Sequence, residues 1–286
     1  MFTPQDRVLV AVSGGKDSLA LWDILIGLGY QADGLYLGLG IEGSSGYSDE
    51  SQRKCEVFVE SMKSRYQQMH RDSLISAPGH WLPRLHILSI PDTYGESIPD
   101  VAKRVQRGRG RPCSVCGLIK RHEMNRVARE LGYLVLATGH NLDDEAAVLF
   151  GNTMTWQVGY LTRQGPVLAE SEGFARKVKP LCRMYEREMA AYCLVRGIDY
   201  IYEECPYSPG ATSIAYKELL AELERKSPGT KQNFYLSFLK ARQNGFLNDS
   251  HRGVPLSMSS CQQCGQPTTA PGLCAFCRLW NKAEKP

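Results

Sequence analysis

The stretch VLVAVSGGKDS, Val8 to Ser18, sets the architecture of this chain. Val8–Val12 is an unbroken apolar run, which predicts a parallel strand buried on both faces. Ser13, Gly14, Gly15, Lys16, Asp17 and Ser18 make a glycine-containing turn, and apolar residues at helical spacing follow from Leu19 to Leu28. A strand, a glycine-rich turn and a helix N-terminus together form a site for an oxyanion. Glycines let the backbone wrap a phosphate, the first helical N–H groups lack partners, and the helix dipole is positive there. Ser13, Lys16 and Ser18 add donors and charge. The spacing is neither G-x-x-x-x-G-K-S/T nor G-x-G-x-x-G, which excludes a Walker loop and a dinucleotide fingerprint.

Working outward, Gly34–Leu39 reads as a second strand reached across a helix, a βαβ unit. Residues 43–83 change character, with a charged helix over Asp49–Gln68 between loops, and are the least readable part. Leu85–Ile90 predicts a strand, and Ile98–Val105 a short helix with Pro99 at an early position. A helix follows Cys116 to about Leu131, its buried stripe being Met124, Val127, Ala128 and Leu131. Tyr133–Thr138 is another buried strand, and Gly139, His140, Asn141, Asp143, Asp144 and Glu145 sit at its C-terminal end, where doubly wound sheets keep their chemistry. Residues 151–180 read as loop. Tyr185–Arg196, Ser213–Lys226 and Lys231–Gln243 read as helices, residues 244–257 as a polar linker, and residues 259–280 as a small separate module. The expected fold is α/β, a doubly wound parallel sheet over residues 1–180, with a helical part over 181–250 and a zinc ribbon over 258–281.

A chain of 286 residues is long enough for that arrangement, and 43% hydrophobic with 22% charged residues is the composition of a globular protein. No apolar run of about 18 residues predicts a membrane span. The N-terminus lacks the apolar core of a signal peptide, so a cytoplasmic location is expected. The net charge of +4 says little, but Lys103, Arg104, Arg107, Arg109 and Arg111 put five cations into nine residues, which suits RNA phosphates.

Ten cysteines without an export signal are not expected as disulfides. Cys261-x-x-Cys264 and Cys274-x-x-Cys277 form two knuckles, the ligand set of a tetrahedral structural zinc, with a rubredoxin-like iron as the alternative. So short a segment has no core to fold without metal. Cys113-x-x-Cys116 before a helix is a redox dithiol, half a zinc site, or two ligands of an iron–sulfur cluster, and Cys205 can supply a third thiolate. Cys55, Cys182 and Cys193 have no partner at ligand spacing and read as packing residues. Lys120 lies one helical turn past Cys116 and shares its face. His140 reads equally as a turn residue and as a catalytic one.

SGGKDS after a first strand resembles the PP-loop of the N-type ATP pyrophosphatases. In that family the loop holds the β,γ-pyrophosphate of ATP while a substrate oxygen attacks the α-phosphorus. Five stretches in order, namely the loop, Cys113–Arg121, Ala137–Ala147, Glu203–Pro206 and Cys261–Thr269, resemble the tRNA 2-thiolation enzymes. These include the 2-thiouridine synthetase acting on the T-loop ribothymidine position, with 2-thiocytidine synthetases and wobble-uridine thiolases as relatives. The resemblance implies ATP held at Ala11, Val12, Ser13, Gly14, Gly15, Lys16, Asp17, Ser18, Leu37 and Gly139, with Mg2+ accompanying the pyrophosphate. It implies a [4Fe-4S] cluster on Cys113, Cys116 and Cys205, Zn2+ on Cys261, Cys264, Cys274 and Cys277, and catalytic roles for Lys120 and Asp144. The implied partners are tRNA, a ubiquitin-like sulfur-carrier protein and a second copy of the chain. Two features depart from the T-loop pattern. Only twelve residues precede Ser13, without the zinc finger those enzymes carry there, and residues 43–83 are longer than expected. An ATP pyrophosphatase forming an amide or amine, and a non-enzymatic metal-containing RNA-binding protein, are the other readings.

Overall fold

In the computed structural model, residues 1–42, 46–72, 81–105, 112–247 and 258–281 are described. The elements run β1 (Val8–Val12), α1 (Lys16–Gly27), β2 (Ala32–Gly38), α2 (Tyr47–Arg71), β3 (Leu85–Ser89), α3 (Ile90–Tyr94), α4 (Ile98–Val105) and α5 (Pro112–Glu130). They continue with β4 (Val135–Thr138), α6 (Leu142–Met154), α7 (Val158–Leu161), β5 (Val167–Leu168), β6 (Arg176–Val178), α8 (Glu186–Arg196), α9 (Thr212–Lys226) and α10 (Thr230–Gln243). A small hairpin, β7 (Ser259–Ser260) and β8 (Pro267–Thr268), precedes α11 (Ala275–Trp280).

The main sheet has the order β3-β2-β1-β4-β6-β5, parallel except for β5. Chain order reverses between β1 and β4, so a crevice opens beyond their C-terminal ends. That is where the turns after Val12 and Thr138 lie. β1 is buried on both faces, as its apolar run predicts: Val8, Val10 and Val12 pack with α1, α2 and α8, and Leu9 packs with α4 and α5. Asp23, fully buried on α1, ties the first layer together through Arg65 of α2 at 2.8 Å and Tyr192 and Arg196 of α8 at 2.6 and 2.9 Å. Helices α9 and α10 pack on α6 through Leu220, Tyr235 and the alanines Ala146 and Ala147.

Three local readings differ from the sequence expectation. Residues 151–180 contain α7, β5 and β6. Strand β6 is three residues long and begins Arg176-Lys177, so it has no apolar run to betray it. The buried positions of α5 are Val115, Ile119, Glu123, Asn125, Val127 and Ala128, while Leu131 falls beyond the helix end and is 41% exposed. The cysteine module is docked on the sheet's second layer. Phe276 stacks on His122 of α5 at 3.6 Å, Gln266 bonds Asn125, and Arg104 donates to the Leu279 carbonyl at 2.8 Å. No helix among the described residues is long and apolar enough to cross a membrane.

Gly34 interrupts β2 for a packing reason. A Cβ there meets the Trp22 ring at 2.5 Å, and that indole donates to the Ala32 carbonyl at 2.6 Å. Gly34→Ala is expected to cost about 1–3 kcal/mol in a urea titration; an unchanged midpoint contradicts this account of the packing.

Candidate active site

At the crevice, a cavity of about 380 Å³ is lined by the loop residues Ser13, Gly15, Asp17 and Ser18, by Leu37 and Tyr47, and by Lys120, Gly139 and Asp144, among others. The loop is braced from within. The Ser13 N–H donates to Ser18 Oγ at 3.1 Å, and Ser18 Oγ donates to the Gly15 carbonyl at 3.0 Å. Gly14 has φ +75°, and a Cβ there strikes the Ser51 carbonyl at 2.5 Å, so the loop backbone lies against α2. Gly139 serves an equally close approach, since a Cβ would come within 2.9 Å of the Asp17–Ser18 backbone. Asn141 caps α6 and donates to Asp17 at 3.1 Å, fastening the two turns side by side.

Ala11, Val12, Ser13, Gly15, Asp17, Ser18, Leu37 and Gly139 all line this cavity, as do Lys120 and Asp144. Gly14 and Lys16 are not among the lining residues. Tyr36, Tyr47, Ser48 and Ser51 also line it, and sequence reasoning missed them. The usable signal was topological: whatever follows the strand next to β1 must border the same crevice.

Cys113, Cys116 and Cys205 are brought into one neighbourhood. Cys113 and Cys116 lie in the first turns of α5, and the Cys113 thiol contacts the Tyr207 carbonyl, two residues past Cys205, at 3.5 Å. Burial pushes the Cys116 thiol up, Lys120 opposes this, and Cys205 and Cys113 add to it. Tyr47 is likewise raised by burial and by Cys205 and Cys116. Lys120 and Tyr47 therefore belong both to the cavity lining and to the surroundings of the cysteines. The Cys205 segment is tied to the loop directly, for the Ile201 N–H donates to the Gly14 carbonyl at 2.9 Å. Cys113, Cys116 and Cys205 thus come from two segments into one electrostatic neighbourhood. Cys55, Cys182 and Cys193 are buried, and burial raises the Cys55 thiol to about 12 and Cys193 to about 11, as suits packing residues.

In the docked module the sulfurs of Cys261, Cys264, Cys274 and Cys277 all lie within 4.8 Å of one another, and those of Cys264 and Cys274 are 3.7 Å apart. Four thiolates at about 2.3 Å from a tetrahedral zinc have edges of about 3.8 Å, so these residues fit the metal. Burial raises Cys261, but backbone N–H donors including that of Cys274 outweigh it and hold the thiol at about 6.

The charges near the cavity form a chain. Lys16 pairs with Glu186 at 2.6 Å and Asp17 at 3.3 Å, while Lys217 pairs with Asp144 at 2.5 Å and Glu186 at 3.3 Å. Burial raises Asp17, with Lys16 and Asn141 working against it. Burial lowers His140, which lines the cavity and bonds Thr138 at 2.8 Å. Of the cationic run, Arg104 is engaged by Glu96 and Leu279, and Lys103 lies 3.8 Å from Asp100. Residues 106–111 lie outside the described residues. Another cation stands out: Lys177 has no carboxylate pair among the described residues, and burial beside Lys179 and Arg121 lowers it to about 8.

A mostly parallel sheet with this loop at its reversal point is the architecture of the PP-loop thiolases. No protein-family model matches the chain. It is 45% identical over 282 residues to the tRNA-5-methyluridine(54) 2-sulfurtransferase of Thermus thermophilus, covering 98% of this chain and 78% of that one. To the Pyrococcus horikoshii protein of the same name it is 40% identical over 282 residues, with 98% and 80% covered. The U34-tRNA thiolase NcsA from Methanococcus maripaludis, solved with its [4Fe-4S] cluster, has the same fold at 23% identity: TM-score 0.70, over 99% of this chain and 82% of that one. The chain belongs to the tRNA-5-methyluridine(54) 2-sulfurtransferase family.

Lys177 gives a pH prediction. Its folded value lies below the unfolded 10.5, so the unfolded chain binds the extra proton between about pH 8 and 10.5 and stability from this group rises with pH across that window. Lys177→Met is expected to stabilise the chain at pH 7 by about 2 kcal/mol, with the gain fading toward pH 10, in urea titrations at both values. Destabilisation of equal size at both pH values contradicts it.

Proposed function

We propose that the chain inserts sulfur at C2 of 5-methyluridine 54 in tRNA, after activating the C2 oxygen with ATP. One juxtaposition supports this reading: Lys120 lines the cavity together with Ser13, Gly15, Asp17 and Ser18 and also interacts with Cys116, whose other neighbours are Cys205 and Cys113. The family membership supports the choice of nucleoside.

In this reading the loop takes the β,γ-phosphates of ATP through its backbone and the α1 N-terminus. The adenine lies by Leu37 and Gly139, and the C2 oxygen attacks the α-phosphorus as pyrophosphate leaves. Lys120 stabilises charge on the reacting phosphate, acting from a site shielded from bulk water. Asp17 and Asp144 would hold Mg2+, which neutralises the departing pyrophosphate. Cys113, Cys116 and Cys205 would hold a [4Fe-4S] cluster, which would supply an iron able to carry the sulfur. Sulfur then displaces AMP from C2: a C–S bond forms, the C–O bond breaks, and AMP leaves with the original oxygen. Zn2+ on the four ribbon cysteines is structural, since a closed set leaves no coordination position for substrate. Lys177 and Arg121 supply charge for RNA phosphates near this face. A ubiquitin-like carrier as sulfur donor, a homodimer and a cytoplasmic location complete the reading.

The test is mass spectrometry of tRNA nucleosides after incubation with the anaerobically reconstituted chain, ATP and a sulfide source. The expected product is 2-thio-5-methyluridine, with stoichiometric AMP and pyrophosphate. Cys205→Ser and Lys120→Ala are each expected to reduce it by about 100-fold or more. AMP formation with no 2-thio nucleoside, or thiolation that survives Cys205→Ser, contradicts the reading.

A further inference from the structure

One carboxylate serves two lysines beside the phosphate loop. Glu186, the first residue of α8, accepts from Lys16 on Oε1 at 2.6 Å and from Lys217 on Oε2 at 3.3 Å. Lys16 belongs to the phosphate loop, while Lys217 comes from α9, two hundred positions along the chain. Glu186 is fixed from behind: its N–H donates to Asp143 Oδ2 at 2.7 Å, and Asp143 is itself paired with Lys231. Lys217 also bonds Asp144, which lines the cavity. Two ammonium groups thus converge on one anion behind the turn where the chain's architecture places a polyphosphate.

A triphosphate seated on Ser13–Ser18 brings further negative charge next to Asp17, Asp144 and Glu186. In a half-buried site those like charges repel, so the present pairing cannot simply persist. The lysines have a better anion available: ammonium-to-phosphate contacts are charge-assisted on both sides and among the strongest hydrogen bonds. Burial alone lowers Lys217, yet Asp144 and Glu186 outweigh it and raise the group, so it is charged when nucleotide arrives.

We propose that Lys217 is a pyrophosphate-binding residue of this site, and that Glu186 is a placeholder anion which the β,γ-phosphates displace from Lys16 and Lys217. The inference rests on the reading of the loop as a nucleotide site and extends it to a helix outside the sheet. It assigns α9 a direct part in nucleotide loading: the terminal phosphates exchange Glu186 for themselves on both lysines and leave Asp144 free of Lys217.

Calorimetric titration of the full chain with Mg2+ and inorganic pyrophosphate, α,β-methylene-ATP or AMP tests this, using K217M, K217R and E186Q. K217M is expected to lose about tenfold or more in affinity for pyrophosphate and the ATP analogue, with AMP unchanged and K217R largely restored. E186Q, isosteric and without the competing charge, is expected to bind pyrophosphate several-fold more tightly. Unchanged pyrophosphate affinity in K217M, an equal loss for AMP, or weaker pyrophosphate binding in E186Q overturns the proposal. If K217M does not fold, the E186Q titration decides. A wild-type chain that binds none of the three ligands refutes the nucleotide reading itself, a distinct outcome.

Discussion

Backbone contact at the reversal point of the sheet is what the remaining structure depends on. The turn after β4 lies directly on the backbone of Asp17 and Ser18 because position 139 is glycine, and the loop after β1 lies directly on α2 because position 14 is glycine. A third contact, from the Ile201 N–H to the Gly14 carbonyl, fastens the segment that carries Cys205 to the same loop. Three distant parts of the chain are thereby brought to the C-terminal ends of two adjacent parallel strands, the position where doubly wound sheets bind ligands.

Around those contacts the charges are arranged in alternation. Lys16, Glu186, Lys217 and Asp144 form a continuous sequence of partners, and Asp17 joins it through Lys16. Such a chain costs desolvation at every group and is kept only where each charge has a partner. It is also poised to be rearranged by an incoming polyanion. Lys120 and Tyr47 line the cavity and also interact with the cysteines, so an ammonium and a phenol belong to both. The ribbon contributes at a distance, holding α5 through Phe276 against His122 and α4 through the Leu279 carbonyl bonded by Arg104.

Much of this was readable from local pattern. The apolar run Val8–Val12 followed by SGGKDS, the two cysteine knuckles and the strand ending at Thr138 each announce their structure within a dozen residues. Strand β6 escaped because three residues starting with Arg176 and Lys177 carry no periodicity, and only pairing with β4 makes them a strand. Tyr47 and Ser51 reach the cavity because α2 packs on the loop, a tertiary fact with no local trace. Cys205 has no neighbour at ligand spacing, so the residues alone left it one option among several and the resemblance joined it to Cys113 and Cys116. Lys217 and Glu186 left no sign at all, since charged residues on amphipathic helices ordinarily face solvent.

The central claim is that nucleotide and thiolates meet across a single cavity. A crystal structure of the anaerobically prepared chain with α,β-methylene-ATP measures this most directly. The account predicts the triphosphate tail on Ser13–Ser18 and one cluster shared by Cys113, Cys116 and Cys205, with Lys120 between it and the α-phosphate. A nucleotide bound elsewhere, or a Cys205 sulfur that does not join the other two, contradicts it.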